Sequence, residues 1–135
     1  MNTVPFVLSA ASRQRLKGVH PDLIRLVERA IILTPVDFVV TDGVRTLARQ
    51  RQLVAAGASR TLKSRHLTGH AVDLAALVGR QVRWDWPLYG RIAVAMKQAA
   101  KDLSLPLVWG GDWKSFKDGP HFELPANHYP EPRHG

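Results

Sequence analysis

Residues 64–75 run Ser64-Arg65-His66-Leu67-Thr68-Gly69-His70-Ala71-Val72-Asp73-Leu74-Ala75. From His70 to Ala75 the stretch reads as a strand that follows a glycine turn. Asp73 lies inside that strand and shares a face with Ala71 and Ala75, because strand side chains alternate with period two. His66 lies upstream, across the Gly69 turn, which can fold it back beside Asp73.

Working towards the N-terminus, residues 57–65 read as a basic loop. Thr46 is placed to cap a helix that runs through Leu47, Gln50 and Leu53 to Gly57. Phe38 to Thr41 reads as a strand, with Asp42-Gly43 as its turn. His20-Pro21-Asp22 opens a helix whose Leu23, Leu26, Val27, Ala30 and Ile31 fall on one face, and Thr34-Pro35 ends it. Ser9 is placed to cap a short basic helix that stops at Gly18. Towards the C-terminus, Gly79 to Arg83 suggests a turn or hairpin. Trp86-Pro87 starts the longest helix, whose stripe of Leu88, Ile92, Ala95, Met96, Ala99 and Leu103 reads as core. Strands are expected at Leu105–Trp109 and His121–Leu124, with a loop over 110–119 between them. Residues 1–124 make one domain, and the Pro-rich tail 125–135 is expected to be extended. Helices interleaved with short strands predict an α+β fold, with a small, mostly antiparallel sheet flanked by helices.

Composition agrees. A chain of 135 residues with 45% hydrophobic content is one domain's worth and can bury a core without disulfides. The 10 glycines and 9 prolines follow no repeat, which excludes collagen-like and low-complexity classes. No apolar run approaches the roughly 20 residues of a membrane span. The N-terminal stretch lacks the basic start of a secretory signal, so none is expected. Net charge is +8, carried almost entirely by residues 1–65 at +7, against +1 for the remainder. That imbalance suits a polyanionic partner, whether nucleic acid, an anionic envelope or a cell-wall polymer, and equally suits a solvated basic face.

Cysteine is absent, so a metal would be held by His and carboxylates. Of six histidines, His20 sits at a helix start as a capping residue, and His128 and His134 lie in the tail. The other three fall in two segments rich in Gly and carboxylates, 64–73 and Asp118-Gly119-Pro120-His121-Phe122-Glu123. A catalytic zinc site takes three protein ligands and leaves a fourth position open. His66, Asp73 and His121 could make such a set, with Asp118 able to face the bound water without binding the metal. Spacing leaves open the alternative of a surface histidine pair with an Asp capping a turn.

Ser64-x-His66-x-x-Gly69-x-Ala71-x-Asp73 followed by Asp118-x-x-His121 resembles the zinc signature of the D-Ala-D-Ala carboxypeptidase/L-alanyl-D-glutamate peptidase family. The small single-domain phage endolysins of that family are the nearest look-alikes. Thr41-Asp42-Gly43-Val44-Arg45-Thr46 is similar to the family's Gly-x-Arg-Ser/Thr segment, and Gly110-Gly111-Asp112-Trp113 precedes the last histidine as it does there. The likeness runs from about residue 9 to residue 124.

The resemblance implies a hedgehog/D-Ala-D-Ala peptidase-like fold with one Zn2+ per chain, held by His66, Asp73 and His121. It implies Asp118 as general base, where many relatives carry Glu, and Arg45 as the group that stabilises the oxyanion or holds a substrate carboxylate. Ser64 is a candidate substrate contact or a loop-stabilising residue. His70 occupies a variable position of the signature and is the main rival to His66. Glu123 is placed to support a ligand, and Trp109 and Trp113 to wall the cleft or fill core.

The function implied is phage-encoded hydrolysis of the peptidoglycan stem peptide between L-Ala and D-Glu, for host lysis. The enzyme would be a monomer made in the host cytoplasm, released by a holin-type partner to act in the periplasm and wall, without stable membrane insertion. A D-Ala-D-Ala carboxypeptidase is the rival within the same chemistry. A non-catalytic wall-binding module, or a nucleic-acid-binding module using Arg49, Arg51, Arg60, Lys63 and Arg65, is the rival of another class. No nucleic-acid-binding fingerprint is present, so a nucleic-acid partner is not expected.

Overall fold

The computed structural model describes residues 5–59, 61 and 63–130. Arg60, Leu62 and His134 therefore lie outside the described residues.

Among the described residues the chain forms four α-helices and five strands: α1 (Ala10–Arg15), α2 (Pro21–Leu33), β1 (Phe38–Asp42), α3 (Leu47–Ala55), β2 (Ala71–Val78), β3 (Gln81–Arg83), α4 (Trp86–Leu103), β4 (Val108–Trp109) and β5 (His121–Glu123). Two short 3-10 turns, Arg65–Thr68 and Gly110–Asp112, precede β2 and follow β4. The expected caps form. Ser9 accepts from the Ser12 amide, His20 from that of Asp22, and Thr46 from that of Arg49.

The strands order as β1-β2-β5-β4, with β3 also on β2, and every described pairing is antiparallel. Register assigns the two faces. Val40 pairs with Leu74, Phe38 with Ala76 and Val72 with Phe122, and these six side chains enter the core with helices α2 and α4. The opposite face carries the other parity: Asp73, directly across from His121. A register shift between Val40 and Asp42 brings Asp42 alongside Asp73 as well. Edge strand β1 is covered by α1, where the buried Ser12 hydroxyl accepts the Val40 amide at 2.9 Å and Arg15 donates to the Val40 carbonyl.

Four expectations need correction. The fourth strand is only Val108–Trp109, because the Leu105 amide closes the end of α4 on Ala100 and Pro106 has no N–H to pair. The last strand stops at Glu123, although the Leu124 amide still bonds His70. The described part of the tail is not extended: residues 126–129 turn, and the Tyr129 hydroxyl donates to Asp22 at 2.7 Å. Arg65 does not belong to an exposed basic loop. It is 8% exposed, with one guanidinium nitrogen donating to the carbonyls of Leu124 and Tyr129.

Candidate metal centre and cleft

Ser64 accepts from the His66 amide and starts the 3-10 turn, which Gly69 ends in the left-handed region at φ 78°. A Cβ on Gly69 would lie 2.6 Å from the Gly18 carbonyl oxygen, so only glycine fits where the chain reverses into β2. The reversal sets His66 beside Asp73, with Nε2 3.2 Å from Oδ1. On β5, His121 Nδ1 stands 3.4 Å from the same oxygen. One ligand atom from each of His66, Asp73 and His121 falls within 4.8 Å of the others.

Both imidazoles are oriented from behind. The other nitrogen of His66, Nδ1, lies 2.8 Å from the Gly43 carbonyl. A carbonyl only accepts, so Nδ1 carries a proton there and Nε2 is the nitrogen turned to the cluster. His121 Nε2 donates to Glu123 Oε1 at 2.8 Å, which leaves Nδ1 to face Asp73. Glu123 shares the strand face of His121 by period two, and its second oxygen is 4.0 Å from Arg65 Nε. Carboxylate-backed and carbonyl-backed imidazoles are the usual support for metal ligands. Two buried imidazoles and a carboxylate, converging without any thiolate, fit a divalent metal ion of zinc-like preference.

Electrostatics tell the same story for the metal-free cluster. Burial alone would raise the Asp73 carboxyl, but the hydrogen bonds and positive charges of His121 and His66 outweigh it and hold Asp73 well below the usual carboxylate range. Burial pulls His121 down, yet its bonds to Asp73 and Glu123 win and push it up to about 9.

Asp118 borders the cluster. Its amide donates to the Gly110 carbonyl at 3.0 Å and its carbonyl accepts the His121 amide at 3.2 Å, so it is the Asp118 backbone that takes part in the turn into β5. Among the described residues its carboxylate accepts no hydrogen bond. Burial pushes the Asp118 carboxyl up, and the Asp73 charge adds to that rise against the pull of His121, His66 and Arg45.

Arg45 is 9% exposed at its side chain. It pairs with Asp42, donates to Gln50 Oε1 at 2.8 Å, and comes within 3.5 Å of Asp73 Oδ2. The guanidinium therefore has the structural ion pair and also a place on the site wall. The cleft over these groups has a volume of about 720 Å³ and runs from the cluster towards α3 and the loop at Lys63. The two tryptophans divide their roles. Trp113 packs on the His121 ring at 5.2 Å in the cleft, whereas Trp109 stacks on Phe122 and donates to the Gly119 carbonyl.

The structure brings together His66, Asp73, His121, Asp118, Arg45 and Ser64 around this cleft. It does not bring His70 there: that imidazole meets Thr68 at 2.7 Å and faces the rings of His20 and Tyr129. Three supporting residues escaped the sequence reading. Fully buried Gln50 links Arg45 to Ser59 and to the Thr61 carbonyl, and its spacing of three from both Leu47 and Leu53 along the helix was the available signal. The Gly43 carbonyl and the burial of Arg65 left no local trace.

The family model described as phage L-alanyl-D-glutamate peptidase matches residues 4–125. The L-alanyl-D-glutamate peptidase of Escherichia phage T5 is 34% identical over 117 residues, covering 84% of this chain and 85% of that protein. Among solved structures, the Serratia marcescens L-Ala D-Glu endopeptidase ChiX is similar with a TM-score of 0.87 and 49% identity, over 92% of this chain and 93% of that one. The vancomycin-resistance D,D-dipeptidase VanXYg, at 20% identity and a TM-score of 0.52 over 78% of this chain and 50% of that one, shares the fold. By the extent of the family match and the likeness of the whole chain to its relatives, this chain belongs to the phage L-alanyl-D-glutamate peptidase family.

Proposed function

We propose that this chain is a zinc-dependent endopeptidase that hydrolyses the L-Ala–D-Glu bond of the bacterial peptidoglycan stem peptide, as a phage lysis enzyme. The observation that carries the reading is the convergence of His66, Asp73 and His121 beside an otherwise uncommitted carboxylate, Asp118. Zinc held by those three side chains would polarise the scissile carbonyl and make the attacking water more acidic.

The chain's own residues supply the rest. Asp118, whose pKa is raised towards the working range of a base, takes a proton from the attacking water and passes it to the leaving amine. Arg45 is kept in place by Asp42 and Gln50 and directs guanidinium N–H groups at the developing oxyanion or at a substrate carboxylate. Gly43 and Glu123 hold the two imidazoles in the tautomers that ligation needs. Ser64 lines the same cleft as a candidate substrate contact. Net positive charge favours approach to the anionic wall. Synthesis in the host cytoplasm, release by a holin-type partner and action as a monomer in the wall belong to the same proposal. Among the described residues no helix is long and apolar enough to cross a membrane.

The test is digestion of purified peptidoglycan by metal-stripped protein with and without added zinc. Release of soluble fragments only with zinc is expected, and full activity in excess chelator, with no metal in the protein, would refute the reading.

A further inference from the structure

Two tryptophans stand half out of the surface within three residues of one another, Trp84 at 53% and Trp86 at 50% exposure. Indoles are mostly covered in folded proteins, and a group of exposed aromatics marks a contact surface. Both rings lean on Tyr89, Trp86 edge-on at 5.6 Å and Trp84 tilted at 6.5 Å between centroids. Val82 is exposed near them in sequence, and the exposed Arg83 and Asp85, which alternate with the indoles along the chain, pair with one another.

Tyr89 ties this surface to the site. A Cβ on Gly119 would lie 2.4 Å from its ring, so the phenol packs directly on the turn that carries Asp118. Burial raises the Tyr89 hydroxyl pKa, and the charges of Asp118, Asp85 and Asp73 add to it, which reflects the same proximity. The aromatic surface thus begins one ring away from the proposed base, outside the cleft that runs towards α3.

Substrate chemistry then selects the occupant, on the reading that the chain cuts after the L-Ala of the stem. That alanine is joined through a lactyl group to the N-acetylmuramic acid of the glycan. Only one residue, at most about 3.6 Å of chain, and the lactyl linkage separate the scissile bond from a sugar ring. A pyranose has an apolar C–H face that stacks on an indole and a polar rim that hydrogen-bonds to flanking charged groups. The patch is too small for a stable dimer: two half-exposed indoles offer roughly 200 Å², against about 800 Å² per partner in a standard interface.

We propose that Trp84 and Trp86, with the neighbouring exposed Arg83 and Asp85, form a saccharide-stacking platform that holds the N-acetylhexosamine units of the glycan strand while the attached stem peptide enters the cleft. The enzyme would therefore prefer stems still attached to sugar over free peptides.

The test compares kcat/KM on a synthetic stem peptide with that on the same peptide attached to its N-acetylglucosaminyl-N-acetylmuramyl disaccharide. The wild-type protein is expected to favour the disaccharide substrate. Trp84→Ala and Trp86→Ala should each reduce that preference about fivefold, through KM and not kcat. Trp86→Tyr, which keeps an aromatic face, should retain most of it. A preference equal in wild type and variants overturns the platform, as does self-association of the wild type that the variants abolish, which would assign the patch to a second copy. If neither substrate is cut, the peptidase reading fails. Titration with N-acetylglucosamine tetramer still decides the platform: saturable binding lost in both Ala variants supports it, and no binding overturns it.

Discussion

Asp118→Asn separates chemistry from architecture at the site. The side chain keeps its size, and the substitution leaves in place the two backbone bonds Asp118 makes in the turn into β5, Asp118 to Gly110 at 3.0 Å and His121 to Asp118 at 3.2 Å. Asn removes the proton acceptor, so cleavage should fall about 10²–10⁴-fold, equivalent to roughly 2.7–5.5 kcal/mol on the barrier. Stability should move the other way or not at all. Burial and the Asp73 charge raise the folded-state pKa of Asp118, so its ionised form opposes folding at neutral pH, and neutral Asn relieves that opposition. Zinc content should be unchanged, because Asp118 is not one of the three converging ligands. The assays are cleavage rate, zinc stoichiometry and Tm on one purified variant. Near-normal cleavage with zinc still bound would refute the reasoning. That result would make Glu123 the next candidate base.

Other outcomes follow from the same geometry. His66→Ala, Asp73→Ala and His121→Ala should each lower zinc occupancy, whereas His70→Ala should leave it largely intact; the reverse pattern for His66 and His70, read by metal analysis, would show the ligand register to be wrong. Glu123→Gln removes the carboxylate behind His121 and should weaken zinc binding about 10–100-fold by competition with a chromophoric chelator, and unchanged affinity would remove Glu123 from the support of the site. In metal-free protein, the raised pKa of His121 means that its contribution to stability is complete below about 6.5 and is lost as pH rises through about 9. Zinc affinity should climb over that same window as the competing proton leaves, so a Tm series and zinc titrations from pH 6 to 9 should show opposite trends.

What was legible in the sequence was local. Ser9, His20 and Thr46 cap their helices because capping needs only residues two or three apart. The buried face of α2 follows from the spacing of Leu23, Leu26, Val27, Ala30 and Ile31. The candidate site was legible through its motif, which singled out His66, Asp73 and His121, the three side chains that the fold brings together. What was not legible depended on distant partners. Arg65 reads as one more loop cation until Leu124 and Tyr129, 59 and 64 residues away, supply the carbonyls that bury it. The tail reads as extended because three prolines discourage regular structure, yet the bond of Tyr129 to Asp22 across 107 residues folds it back. The signature already preferred His66 to His70, and the fold sets His66 beside Asp73 and His121 while His70 faces His20 and Tyr129.

The central claim is hydrolysis of one bond in one polymer, and mass spectrometry of the fragments released from purified peptidoglycan tests it most directly. The account predicts glycan that retains only L-Ala on its lactyl groups, together with free peptides beginning at D-Glu, in zinc-loaded digests alone. Release of terminal D-Ala with the L-Ala–D-Glu bond intact would mark a carboxypeptidase, and unchanged peptidoglycan would mark a binding module; either result contradicts the account.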